Sequence, residues 1–98
     1  MFELIQSQAF EDWIARLRDR QAKRIIAVRL SRLANGHFGD VKSVGDGVSE
    51  LRIHFGPGYR VYHQIRGNQV ILLLCGGDKD SQAADISRAK AIARSWED

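Results

Sequence analysis

The sequence holds a single cysteine, Cys75, which excludes an internal disulfide framework and any multi-cysteine zinc site. Its three histidines, His37, His54 and His63, have no metal-ligand spacing with one another or with Cys75, so neither a metal nor another cofactor is expected. Long hydrophobic runs are missing: VILLLC at 70–75 is the longest and falls far short of a membrane span. The opening MFELIQSQAFEDW carries acids and no basic n-region, so it does not read as a signal peptide. CGGDKD shares only glycines with the phosphate-loop pattern, and no Ser/His/Asp arrangement for acyl transfer stands out. These absences leave a soluble cytoplasmic protein, with no membrane association, as the expectation.

Ninety-eight residues fit one domain over 1–98, and 44% apolar with 28% charged residues is ordinary globular usage. The charge is unevenly placed. Between Arg16 and Arg32 seven basic side chains face one acid, Asp19, so that block carries +6 of a chain total of +3 and leaves −3 elsewhere. Arg16, Arg18, Lys23 and Arg24, with Lys42 further on, are therefore candidates for holding an anionic partner, nucleic acid or acidic protein. The competing reading is a solvated helix face.

FELIQ near the start reads as a short strand. Phe10, Trp13, Ile14 and Leu17 recur at helical spacing, and a second stripe, Ala22, Ile26, Leu30 and Leu33, starts out of phase with it. The slip predicts two helices with Asp19 capping the second, or one bent helix; Asn35-Gly36 then supplies a stop. From Asp40 the period becomes two. DVKSV, VSELRIHF, YRVYHQI and QVILLLC, separated by short glycine-rich loops, predict a four-strand antiparallel meander. VILLLC is apolar on both parities, which predicts a central strand covered on both sides. Ile86, Ala89, Ala93 and Trp96 mark a last helix capped by Asp80 or Ser81. The expected fold class is α+β: an N-terminal strand and helical hairpin packed on a four-strand antiparallel meander with a C-terminal helix, the helices all on one face of the sheet.

The hairpin ELRIHFGPGYRVYHQ carries the chemistry. With Gly56-Pro57-Gly58 as the loop, Phe55 would oppose Tyr59, His54 would oppose Arg60, and Arg52 would oppose Tyr62. Leu51, Ile53, Phe55, Tyr59 and Val61 then share the core face, as does His63. Arg52, His54, Arg60 and Tyr62 cluster on the other, where an apolar residue such as Leu73 partly covers Tyr62. Arginine can clamp a phosphate, tyrosine can stack or donate, and histidine can move protons near neutral pH. Only Glu50 offsets the arginines there, while Lys42 and Lys79 stand at strand ends nearby, which favours a pocket for an anion against the competing reading of an ordinary solvated sheet face. Because Arg60 lies on the non-core parity, its truncation should spare the fold.

RLANGHFGDVKSVGDGVSELRIHFGPGYRVYHQ, followed by ILLLCGGDKDSQAADISRAKAIA, resembles the RelE/ParE superfamily of bacterial toxins. Within it the likeness is to the HigB-like addiction-module killer group related to phage proteins. The GD-K element, the ELR strand, GYRVY and GGDK occur in the family's order. The resemblance implies a RelE-like fold, a helical hairpin on a twisted, mainly antiparallel sheet. It further implies a type II toxin that cleaves mRNA on the ribosome without a metal, restrained by a cognate antitoxin, typically a helix-turn-helix protein. ParE-like members instead poison DNA gyrase, and that activity, or a non-catalytic partner-binding module, is the alternative. Carried over by position, Arg60 of GYR acts on the scissile phosphate, Lys79 is a second basic residue, and Arg52 or His54 takes the place of basic residues on the adjoining strand. Some ribonucleases of the family place an aromatic hydroxyl after the last strand, where SQAADI has none. Tyr62 is then the candidate substitute, and His54 the candidate for proton transfer.

Overall fold

The structure, a computed structural model, describes residues 1–97. Its elements run β1 (Glu3–Gln6), α1 (Gln8–Arg16), α2 (Arg20–Ala34), β2 (Val41–Gly45), β3 (Val48–Ile53), β4 (Tyr59–Arg66), β5 (Val70–Gly77) and α3 (Gln82–Ser95). The phase slip does divide two helices. Asp19 caps α2 by accepting from the Gln21 and Ala22 amides, and Asn35-Gly36 ends it, with Gly36 in the left-handed region at φ 84°. Of the two cap candidates for α3, Ser81 holds the position, although its hydroxyl makes no cap bond.

The α+β class holds, but the sheet has five strands in the order β1-β5-β4-β3-β2, not four. The meander β2 to β5 is antiparallel as expected, and β1 adds to it by pairing with β5 in parallel, Leu4 beside Ile71 and Gln6 beside Leu73. The helices do not share one face. Phe10, Ala22, Ile26, Leu30 and Leu33 of α1 and α2 pack with Leu51, Ile53, Val61, Ile71 and Leu73, whereas Ala89 and Ala93 of α3 pack with Val48, Tyr62, Leu72, Leu74 and Cys75. This two-sided cover is why VILLLC is apolar on both parities. An irregularity opposite Tyr62/His63 skips Leu74, so Leu74 and Cys75 join the same cluster.

His63 is buried on the α1–α2 face, 2% exposed, and burial pushes its imidazole down to about 4. Above about pH 6.5 the ring is neutral in both the folded and the unfolded chain. As the pH falls, the unfolded chain takes up the proton first, so stability drains away between about 6.5 and 4 and then levels off, a loss on the order of 3 kcal/mol. His63→Leu should flatten that segment of a urea-unfolding pH series; an unchanged slope would mean that another group titrates there.

Candidate active site

The hairpin register differs from the expected one by two residues. Ile53 pairs with Tyr59, Arg52 with Arg60, Leu51 with Val61 and Glu50 with Tyr62. The loop is therefore His54–Gly58 rather than three residues. It is closed by the Phe55 amide donating to Ile53 O at 2.9 Å and the Gly58 amide donating to Phe55 O at 3.1 Å, with Gly56 and Gly58 at φ 56° and 81°. Facing sides are unchanged by a shift of two, so His54 and Arg60 remain on one side, but Cys75, not Leu73, lies across from Tyr62.

Three of the expected residues line one open cleft. His54, Arg60 and Lys79 surround about 380 Å³ together with Phe55, Gly56, Pro57 and Gly58. Lys79 is delivered by the turn after β5, where Asp78 Oδ1 accepts from the Asp80 and Ser81 amides at 2.9 and 3.2 Å. Gly58 lies beside both basic side chains, its Cβ position 3.5 Å from Lys79 Cβ and 3.6 Å from Arg60 Nη1, and its φ of 81° is what calls for glycine there.

Arg52 and Arg60 face each other across β3 and β4, an unfavourable pairing of like charges that two carboxylates relieve. Asp40, just before β2, accepts from Arg52 Nη2 at 2.9 Å and lies 2.5 Å from His54 Nε2. These two bonds hold the Asp40 carboxyl below the usual carboxylate range, the histidine contact weighing most. The same carboxylate pushes the Arg52 guanidinium up. An ionised carboxylate only accepts, so His54 Nε2–H is the donor, and Nδ1 is the nitrogen left for other work. His54 itself is exposed. Asp40 is the site residue that the sequence does not reveal: it reads as the start of a strand, and nothing in its local spacing announces a partner fourteen positions on. Arg52 is drawn toward Asp40 and does not line the cleft.

Glu50 is the second carboxylate. It is 1% exposed and accepts at Oε2 from Tyr62 Oη at 2.9 Å and Gln82 Nε2 at 2.7 Å, while Oε1 lies 3.9 Å from Arg60 Nε. Arg60 is 7% exposed, which overturns the expectation that truncating it would spare the fold: removal would strand a buried carboxylate. Tyr62 is fully buried, and desolvation, with Glu50 beside it, pushes its phenol far up. It does not line the cleft, so burial speaks against the direct part in proton transfer expected of it. Burial likewise pushes the Cys75 thiol up to about 12, leaving it an inert core thiol.

Lys42 is exposed on β2 across from Glu50, outside the cleft. Arg16, Arg18 and Arg24 are exposed and Lys23 half-buried on the helical segment, also outside it. On α2, Arg24, Arg29 and Arg32 border a shallow apolar groove with Ile25 and the half-exposed Val28. Arg29 is already engaged, donating to Arg52 O at 2.9 Å. Among the described residues no group of three or more His, Cys, Asp or Glu could hold a metal ion, and no helix is long and apolar enough to cross a membrane.

The fold and site define an α+β domain with a basic cleft at a hairpin loop, in which Asp40 backs His54 and Glu50 backs Arg60. No family model matches the chain. It is similar to an uncharacterized protein of Haemophilus influenzae, 48% identical over 85 residues that cover 87% of this chain and 86% of that protein. The chain belongs to one family with that protein.

Proposed function

We propose that this protein is a toxin of a type II toxin–antitoxin system, a metal-independent endoribonuclease that cleaves mRNA on the ribosome. The observation that carries the reading is the convergence of Arg60, Lys79 and His54 on one cleft, with His54 oriented by Asp40. In this reading the RNA backbone enters the cleft past the Phe55–Gly58 loop. His54 Nδ1 takes the proton from the ribose 2′-hydroxyl, whose oxygen bonds to the adjacent phosphorus as the bond to the 5′-oxygen of the next nucleotide breaks, and that oxygen takes its proton from water. The products are a cyclic phosphate and a free 5′-hydroxyl. Arg60 and Lys79 stabilise the charge that grows on the phosphoryl oxygens, the role for which fixed cations outside bulk water are most effective. The Asp40 carboxylate then balances the imidazolium, as an orienting acid does beside other catalytic histidines. The exposed arginines of α1 and α2 hold ribosomal RNA or, when the toxin is restrained, the acidic surface of a helix-turn-helix antitoxin.

Brief induction in cells, followed by mapping of transcript ends, tests the reading. New 5′-hydroxyl ends inside translated messages, absent when translation is blocked, are the expected result. Double-strand DNA breaks without new RNA ends would replace it with gyrase poisoning, and growth unaffected by either would leave a partner-binding module.

A further inference from the structure

The buried pair behind the cleft has a geometry that stability alone does not require. A buried carboxylate is costly unless its oxygens are well bonded. Glu50 concentrates two donors, Tyr62 Oη and Gln82 Nε2, on Oε2 and leaves Oε1 with no hydrogen bond, facing Arg60 Nε at 3.9 Å. Two donors from different elements, β4 and the first residue of α3, fix the carboxylate plane. That plane aims Oε1 at one edge of the guanidinium. The Nε edge of Arg60 is thereby held toward the interior, while Nη1 stands beside the Gly58 loop of the cleft and donates to Tyr59 O at 3.3 Å.

We propose that Glu50 is the positioning residue of the site. Locked by Tyr62 and Gln82, it fixes the rotation of the Arg60 guanidinium so that the outer nitrogens face the phosphate. The proposal rests on reading the cleft as a phosphoryl-transfer site, and it gives Tyr62 an indirect part as one half of the lock. Arginine's planar fork makes rotation matter, since only a correctly turned guanidinium offers two parallel donors to one phosphate.

Glu50→Gln is the test. The carbonyl of the new amide can occupy the Oε2 position and keep both hydrogen bonds, while its NH2 turns donors against Arg60 Nε. Packing is preserved and only the contact with Arg60 is reversed. Two measurements are made on the intact protein: nitrogen-15 relaxation of the Arg60 Nε–H signal, and kcat and KM for cleavage of mRNA on ribosomes. The expected result is an Nε–H signal that becomes mobile and fast-exchanging, with kcat down about tenfold and KM within about twofold, the pattern of a contact that matters in the transition state. In an Arg60→Lys background Glu50→Gln should cost far less than it does alone, because the fork it positions is already gone. Gln82→Ala, at a half-buried helix start, should shift kcat the same way by about threefold and covers the case in which Glu50→Gln does not fold.

An Nε–H signal as rigid as wild type, or full additivity with Arg60→Lys, would overturn the proposal and leave Glu50 as a structural counter-ion. Should the wild-type protein not cleave RNA, the functional reading falls, and the relaxation measurement alone then decides whether Glu50 positions Arg60.

Discussion

Arg60→Lys should fold and yet lose about a hundredfold or more in RNA cleavage, the usual cost of removing a preorganised contact to charge developing in a transition state. Lysine keeps a positive charge near Glu50, so the buried carboxylate retains a counter-ion. It cannot supply the planar pair of donors, and its ammonium would lie deeper than the outer nitrogens of the guanidinium. Arg60→Ala should be at least as inactive and also less stable, by about 3 kcal/mol or more, because a stranded buried charge is the expensive outcome. Single-turnover cleavage on programmed ribosomes, beside a urea titration of each variant, separates the two effects. Growth arrest at wild-type strength by the folded lysine variant would remove Arg60 from its assigned role.

The second large effect is expected far from any charge. Gly76 is buried on β5 opposite Val61, and a methyl group there would stand 2.5 Å from Trp13 Cδ2 and Cζ3 and closer still to Cε3. The indole has little room to retreat. It tilts against Phe10 at 5.8 Å between ring centroids and meets Tyr59 edge-on at 6.3 Å. Gly76→Ala should therefore cost about 2–3 kcal/mol, at the upper end of what overpacking usually exacts. Adding Trp13→Leu should recover at least half, since a smaller side chain vacates the overlapped volume. A Gly76→Ala protein that unfolds at the wild-type urea concentration would show that α1 can lift away from β5 at little cost.

Gly76 thus does different work from the glycines of the turns, and the sequence does not distinguish them. Other features were legible because one residue type settles them. Asp19 caps α2, Asn35-Gly36 stops it, and alternation along β3 and β4 assigns each side chain to a face. The same alternation explains why the register was misread. A period of two cannot detect a slip of two, so the pairing depended on how many residues the turn takes, which is set by local bonds at Phe55 and Gly58. His54 and Arg60 stay together through that slip because facing, not pairing, sets their side of the sheet, and Lys79 reaches them from the turn after β5. Their carboxylate partners did not show. Asp40 reaches His54 across a strand boundary, and Gln82 reaches Glu50 from a helix thirty-two positions away. The parallel docking of β1 is likewise a long-range choice, made by the free edge of β5 rather than by anything in FELIQ.

The two arginines that face each other across β3 and β4 sit in opposite dielectric surroundings. The Arg52–Asp40 pair is about one-third exposed, whereas Arg60 and Glu50 are almost wholly enclosed. At physiological ionic strength the screening length is roughly 8 Å, and it shrinks as salt is added; only the outer pair feels that change fully. Concentrated salt therefore acts on half of this site: it loosens the tether that orients His54 and leaves Arg60 where it is. Ionic strength becomes a dial for the outer pair alone, with the inner pair shielded from it.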